Sequence, residues 1–453
     1  MCGRVRAQPH LMKRKPSQLE MRGLSAFLFG RDMPYMSRAL YSVELRSWTL
    51  LAVTLGSVES GVVGVLVKNI YAGQIDNTLL NFAVAIASGA TSYANLLSFV
   101  FAWMAHGRDK VQALVVVQIL CCLFLFVIAL APISLVGLFL VIVGVIGARV
   151  CWAGVITQRA VIWRANFPRH VRARFAGRTL IASALIMAAT GLAIGFLMDS
   201  SEMAFRFVYP VAAAVGIWAA ILYRRIRVRG HHGLIRAELE NNKSGTLNAA
   251  LFWRVLRNDA LYRRYQLWMF VFGGGNMMIT SLLILVLAEQ LQVSRFVQVF
   301  ITSSLPLIMM PLATPFWSRR LDRMHVIQYR ASNSWVFVCA AACIWCGALM
   351  GSIPILTLGT AMWGAGFAGG VLSWNLGHND FAEPEQVTHY MGVHVTLTGL
   401  RGVVSPLLGV GLYELLEAYA LGSGVWALGL PLTLVTAGAL GFRQMKRAQL
   451  ANV

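Results

Sequence analysis

Residues 224–264 read RRIRVRGHHGLIRAELENNKSGTLNAALFWRVLRNDALYRR, the one long polar interruption between two halves that are otherwise almost continuously apolar. The segment carries Arg224, Arg225, Arg227, Arg229, Arg236, Lys243, Arg254, Arg257, Arg263 and Arg264 against Glu238, Glu240 and Asp259. Positive charge this dense, set between apolar halves, is the pattern of a connection held on the cytoplasmic side of a membrane. It divides the chain in two.

The composition around it agrees. Of 453 residues, 58% are hydrophobic and 13% charged, with a mean hydropathy of +0.66. A soluble domain carries about twice that share of charge. Apolar runs recur at 47–70, 79–104, 112–131, 134–160, 179–198 and 204–223, then at 265–289, 295–317, 331–350, 353–376, 390–415 and 421–442. Each is long enough to cross about 30 Å of hydrocarbon as a helix. A transmembrane barrel would instead show alternating segments of about ten residues, whereas these runs are apolar on every side. The expected fold is therefore an all-α polytopic membrane protein of about twelve helices. Its units are a basic segment 1–46, a bundle 47–223, the central loop 224–264, a bundle 265–442 and a tail 443–453.

The net charge of +21 lies in the loops, and on one side of them. Lys and Arg precede the first span, fill alternate short loops and the central segment, and reappear at Arg443, Lys446 and Arg447; the opposite loops hold little beyond Lys68, Arg206 and Arg295. That bias places both termini in the cytoplasm and argues against nucleic acid as a partner. Residues 1–46 lack an apolar core followed by a small-residue cleavage site, so no signal peptide is expected. Their later part, SAFLFGRDMPYMSRALYSVELRSW, has the mixed character of a short helix lying on the membrane surface.

The halves repeat. Arg31-Asp32-Met33-Pro34-Tyr35 before the first span matches Asn258-Asp259-Ala260-Leu261-Tyr262 before the seventh. Trp103-Met104-Ala105-His106-Gly107-Arg108-Asp109-Lys110 after the second matches Trp317-Ser318-Arg319-Arg320-Leu321-Asp322-Arg323 after the eighth. Asn166-Phe167 with Phe175-Ala176-Gly177 matches Asn379-Asp380-Phe381 with Tyr390-Met391-Gly392. All three need an offset of 213 to 227 residues, as a duplicated six-helix unit requires.

With these features the chain resembles the major facilitator superfamily, whose members have two pseudo-symmetric six-helix bundles, a cytoplasmic central loop and an Asp/Arg-bearing loop between the second and third helices of each half. The resemblance implies gating roles for Arg108, Asp109 and Lys110 and for Asp322 and Arg323. The family's loop runs Gly-x-x-x-Asp-Arg-x-Gly-Arg-Lys, and here His106 stands where its first Asp would be. A Pro-x-x-Gly pattern stands in the eleventh span, Pro406-Leu407-Leu408-Gly409, rather than in the fifth.

Other motifs point away from chemistry. Gly364-Ala365-Gly366-Phe367-Ala368-Gly369 matches GxGxxG inside an apolar span with no strand before it, so close helix packing is its expected use. Cys339, Cys343 and Cys346 share a helical face with no His or carboxylate beside them, and no metal is expected there. His378 and Asp380 read as a solvated loop pair, while their acidic neighbours Glu383 and Glu385 could pair with arginines of 319–330 or 164–178 and close the cytoplasmic mouth. There is no G-x-S-x-G, HExxH or phosphate loop. No enzyme activity and no cofactor are expected.

Ionisable groups at membrane depth are the remaining functional candidates, because stranding them in lipid costs several kcal/mol. Glu59 lies near the middle of the first span. Arg149 lies deep in the fourth, with Trp152, Ile156 and Arg159 following it on what reads as one face. Arg401 lies inside the eleventh. The seventh and tenth offer Gly273-Gly274-Gly275-Asn276 and Trp374-Asn375, where glycines can break a helix and bare its carbonyls. By the resemblance, the first, fourth, seventh and tenth helices line a central cavity.

The expected protein is a monomeric secondary transporter in a bacterial cytoplasmic membrane, moving a small, anionic or strongly polar solute by alternating access, with proton coupling through Glu59. A transport-inactive relative acting in assembly or sensing, or a membrane-embedded enzyme, are the alternatives.

Overall fold

The computed structural model describes residues 33–240, 249–383 and 386–451; these are helical with short connections, and contain no strand. The first half comprises α1 (Tyr35–Ser57), α2 (Ser60–Ile70), α3 (Asn77–Ser88), α4 (Ala90–Met104), α5 (Lys110–Leu130), α6 (Leu135–Asn166), α7 (Arg169–Ser200) and α8 (Phe205–Tyr223). The central segment holds α9 (His231–Glu240) and α10 (Ala249–Asn258). The second half comprises α11 (Ala260–Leu285), α12 (Arg295–Val299), α13 (Leu305–Leu321), α14 (Val326–Leu349), α15 (Ile353–Leu376), α16 (Val387–Tyr419) and α17 (Gly429–Ala451).

Among the described residues, eleven stretches are long and apolar enough to cross a membrane. The helices α3 and α4 stand end to end at Gly89 where the second of the twelve expected spans belongs. Acidic and hydroxyl caps start several of these helices by accepting from their free N–H groups: Asp76 from Leu79, Asp109 from Val111 and Gln112, and Asp259 from Tyr262. Asp109 and Asp259, both residues of the repeat, thus have a plain structural use as helix caps.

The first span begins earlier than its apolar run. From Tyr35 the chain is already in α1, because Ser37, Tyr41, Glu44, Leu45 and Ser47 recur at helical spacing and are buried. The surface-lying helix expected within 25–48 is therefore, from Tyr35 onward, the foot of the first span; residues 1–32 lie outside the described ones. The same extension occurs at the ninth span, whose helix starts at Val326 rather than 331.

With α3 and α4 together counted as one crossing, the start of α1, the central helices and the end of α17 fall on one side, here called the terminal side. The halves pack along α4 with α16 and along α7 with α13, and are tied by polar contacts on the other side. Beyond Gly61, α2 packs against α11 and the eighth span, whereas α1 packs on first-half helices. A Cβ at Gly61 would lie 2.7 Å from the Thr302 hydroxyl, so the two backbones approach as only a glycine allows. The seam is sealed by a polar lock. Glu289 receives hydrogen bonds from Lys68, from Asn77 (2.9 Å), from Asn81 (3.0 Å) and from the Tyr413 hydroxyl (2.5 Å). Glu414 accepts from Thr78 at 2.7 Å and Asn81 at 2.6 Å. Nearby, Asp199 accepts from the Arg295 and Phe296 amides, and Arg295 pairs with Glu202 at 2.7 Å.

Glu289 lies in a π-turn, Val286–Gln290, and a second one, Phe300–Ser304, interrupts the eighth span beside it. Such turns occur often at functional positions.

Candidate functional site

The first span is broken between Ser57 and Ser60. Val58 and Glu59 leave the helical path, Glu59 taking extended dihedrals (φ −65°, ψ 143°) as the residue before α2. The break bares the Val58 carbonyl, and Arg149 from α6 fills it: its Nε donates to Val58 O at 2.7 Å and its Nη2 to Glu59 Oε2 at 2.6 Å. The guanidinium is buried, while the Glu59 side chain keeps 23% of its exposure. Glu59 and Arg149, chosen from different spans, are brought together as an ion pair. The pair stands where the first span passes from packing within its own half to packing against the other.

Arg159 goes elsewhere. Ten residues on from Arg149 it is displaced about 15 Å along α6 and about 80° around it, so the two do not share a face. It is 1% exposed, donates to the Ser47 hydroxyl at 2.8 Å, approaches the Glu44 carboxylate at 3.7 Å, and lies 4.6 Å and 4.4 Å from the centres of the Trp48 and Tyr223 rings. Tyr223 donates to Glu44 at 2.7 Å. This second ion pair is sealed inside the first bundle. Trp152 packs on Trp48 with ring centres 5.4 Å apart. Glu44 was not anticipated because the apolar run starts later; the spacing of Ser37, Tyr41, Glu44 and Ser47 was the readable signal.

In the second half, α11 runs unbroken through Gly273, Gly274 and Gly275. The glycines admit neighbours rather than baring carbonyls: a Cβ at Gly273 would meet Arg401 Cζ at 2.4 Å. Asn276 accepts from the Trp363 indole at 2.5 Å, linking the seventh and tenth spans. Trp374 donates to Thr398 at 3.1 Å, while Asn375, exposed near the terminal-side end of α15, bonds only to Val371 O of its own helix at 2.8 Å. Arg401 is 4% exposed; it donates to Met269 O and to Thr398 at 3.3 Å.

The loops between second and third helices differ from each other. In the first half Asp109 caps α5 and lies 3.5 Å from His231, and Lys110 donates to Glu238 of α9 at 2.6 Å. Gly107 adds its amide to the same carboxylate at 2.9 Å. Burial works against the ionised Glu238, yet the Lys110 ammonium and the Gly107 amide outweigh it and hold that carboxyl below its ordinary value. In the second half Asp322 and Arg323 are exposed, and α14 is capped by His325 and by Asp380, whose Oδ2 accepts from Val326 at 2.7 Å. Arg108 is likewise exposed.

Asp380 and Glu383 make no ion pair among the described residues, and Glu385 falls outside them. His378 is buried at 7% exposure, so it forms no solvated pair with Asp380. Cys121, Cys122 and Cys151 are buried, whereas Cys339 and Cys346 are exposed.

The profile of the family described as Major Facilitator Superfamily matches residues 39–406. No curated protein matches the chain by sequence. Solved structures match its fold. The nucleoside transporter NupG has 11% identity and a TM-score of 0.67 over 89% of this chain and 99% of its own. The POT family transporter PepTSo has 10% identity and a TM-score of 0.68 over 93% and 100%. The inward open conformation of the xylose transporter XylE from E. coli has 10% identity and a TM-score of 0.61 over 89% and 94%. With a family profile covering most of its length and a two-bundle fold, the chain is an integral membrane protein that belongs to the Major Facilitator Superfamily of transporters.

Proposed function

We propose that the protein moves a small anionic solute together with a proton, and that Glu59 and Arg149 are the coupling pair. The observation that carries this reading is the Arg149–Glu59 contact in the broken first span. Arg149 keeps its hold on Val58 O whatever Glu59 does. A proton arriving on Glu59 removes the charge that neutralises Arg149, and the freed Nη2 then attracts an anion. Loss of the anion restores the ion pair and returns the proton. An anion and a proton thus exchange for one internal contact, so the empty and loaded carriers bury the same net charge. Asn276 with Trp363, and Trp374 beyond them, supply polar edges on the seventh and tenth helices for the rest of a solute.

The two six-helix bundles serve as the rocking bodies, and the charge bias sets the orientation: terminal side in the cytoplasm of a bacterial inner membrane, working as a monomer. In that orientation the Lys68–Glu289 lock lies towards the outer face.

The test is uptake into proteoliposomes with an imposed pH gradient, using the double variant Glu59→Gln with Arg149→Met. Removing both members of a buried pair is close to neutral for folding, so the variant should remain folded. Solute uptake should be lost with it. Wild-type uptake with unchanged pH dependence in that variant would reduce the pair to a fastener between helices.

A further inference from the structure

The second half buries two arginines that meet no carboxylate among the described residues. Arg330 of α14 is 3% exposed and Arg401 of α16 is 4% exposed. Among the described residues neither has an acidic oxygen within 4.0 Å. The acid closest to this core, Asp380, is exposed and already accepts from the Val326 amide. Arg330 and Arg401 lie near enough to repel one another, and the Tyr265 hydroxyl lies within the field of both.

Their hydrogen bonds go to neutral oxygens. Arg330 donates to Gly370 O at 3.3 Å, and Arg401 to Met269 O and to Thr398 at 3.3 Å. Among the described residues both Nε atoms and His394 Nε2 are buried without a partner, and the Tyr265 hydroxyl, whose nearest polar neighbour is the Arg330 guanidinium, accepts no well-formed hydrogen bond and has no acceptor for its own proton. His394 is 3% exposed and shares its Nδ1 with Gln266 at 3.2 Å. Trp374 lies over this group, its ring 5.5 Å from that of His394 and its indole N–H on the Thr398 hydroxyl that Arg401 also uses.

Two like charges in a low-dielectric bundle are costly when nothing neutralises them, and carbonyl oxygens supply no net charge. The unpartnered atoms are mostly donors: two guanidinium N–H groups and a phenol. A set of buried donors around uncompensated positive charge is complementary to an anion. Every one of these groups is less than a tenth exposed, which restricts any ligand among them to a small ion.

We propose that Arg330 and Arg401, with Tyr265 and His394, bind a small monovalent inorganic anion of the size of chloride inside the second bundle. The site is separate from Glu59 and Arg149 and stands or falls independently of their role. Gly273 belongs to it, since only a residue without a Cβ leaves room for the Arg401 guanidinium against α11.

The experiment is thermal unfolding of the purified full-length protein in sodium chloride, sodium bromide and sodium gluconate at matched ionic strength. A ligand that prefers the folded state raises the melting point until the site fills. Chloride and bromide should each give a rise of a few degrees that saturates, and gluconate, too bulky to enter, none. The rise should vanish in the double variant Arg330→Met with Arg401→Met, and persist in Glu59→Gln with Arg149→Met. Equal melting points in chloride and gluconate would overturn the proposal without recourse to any variant. Loss of the rise in the Glu59 and Arg149 variant would also overturn it, by moving the anion to the first half.

Discussion

Among the described residues each bundle buries two arginines, and only the first pairs them with carboxylates. In the first bundle Arg149 meets Glu59 at 2.6 Å and Arg159 approaches Glu44 at 3.7 Å, so every buried guanidinium has its own carboxylate from the first span. In the second, Arg330 and Arg401 rest on backbone carbonyls and a threonine. A duplicated architecture has therefore kept its helices and not its charge pairing. Under the two proposals, the paired half changes its charge by taking up a proton on Glu59, and the unpaired half by taking up an anion.

That contrast is broken most severely at Arg159. Arg159→Met leaves Glu44, which is fully buried, facing no cation, and should destabilise the protein by about 3–5 kcal/mol. Adding Glu44→Gln should restore most of the loss, with chemical or thermal unfolding as the measurement. If the single variant were as stable as wild type, the sealed pair would contribute nothing and the contrast between the halves would fail.

Arg149→Met also strands a glutamate, but Glu59 retains 23% of its exposure and water can reach it. The expected destabilisation is about 1–3 kcal/mol, smaller than at Arg159, with solute uptake abolished. Arg401→Met strands nothing acidic. Measured in gluconate, it should destabilise less than either change in the first half, because it removes a repulsive charge along with its packing.

The lock that joins the halves is a third point of attack. Glu289→Gln leaves Lys68 buried at the seam, and it should weaken closure by about 1.4 kcal/mol, a tenfold shift towards the state open on that side. Cysteines at Thr78 and Glu414, in contact at 2.7 Å through their native side chains, should cross-link less in that background.

The smallest effect concerns α9. Because the folded Glu238 carboxyl lies below its ordinary value of 4.5, its contribution is fully present above that pH and is lost as the pH falls through the folded value. Amide exchange in His231–Glu240 should accelerate on acidification within that window. Glu238→Gln should abolish this dependence at a cost of about 1 kcal/mol or less at neutral pH. An unchanged exchange rate across the window would show that Lys110 and Gly107 do not hold the helix.

Much of this protein was legible in the order of its residues. The apolar runs, the basic segment at 224–264 and the repeat placed the helices, since in a bilayer each backbone must satisfy itself within its own span and local composition therefore decides. Glu59 and Arg149 were legible as well, because a charge at membrane depth stands out against any apolar background. What the tertiary structure alone decided is which charge meets which. Glu44 and Arg330 lay beyond the ends of the apolar runs and entered the membrane-spanning helices only because packing on neighbouring helices prolonged α1 and α14. Lys68, read as a loop residue, found Glu289 from 221 residues away. Arg159, expected beside Arg149, turned to Glu44 because 3.6 residues per turn carry the tenth residue off the face. Pairing between distant helices depends on their rotation and depth, and neither is written in any one span.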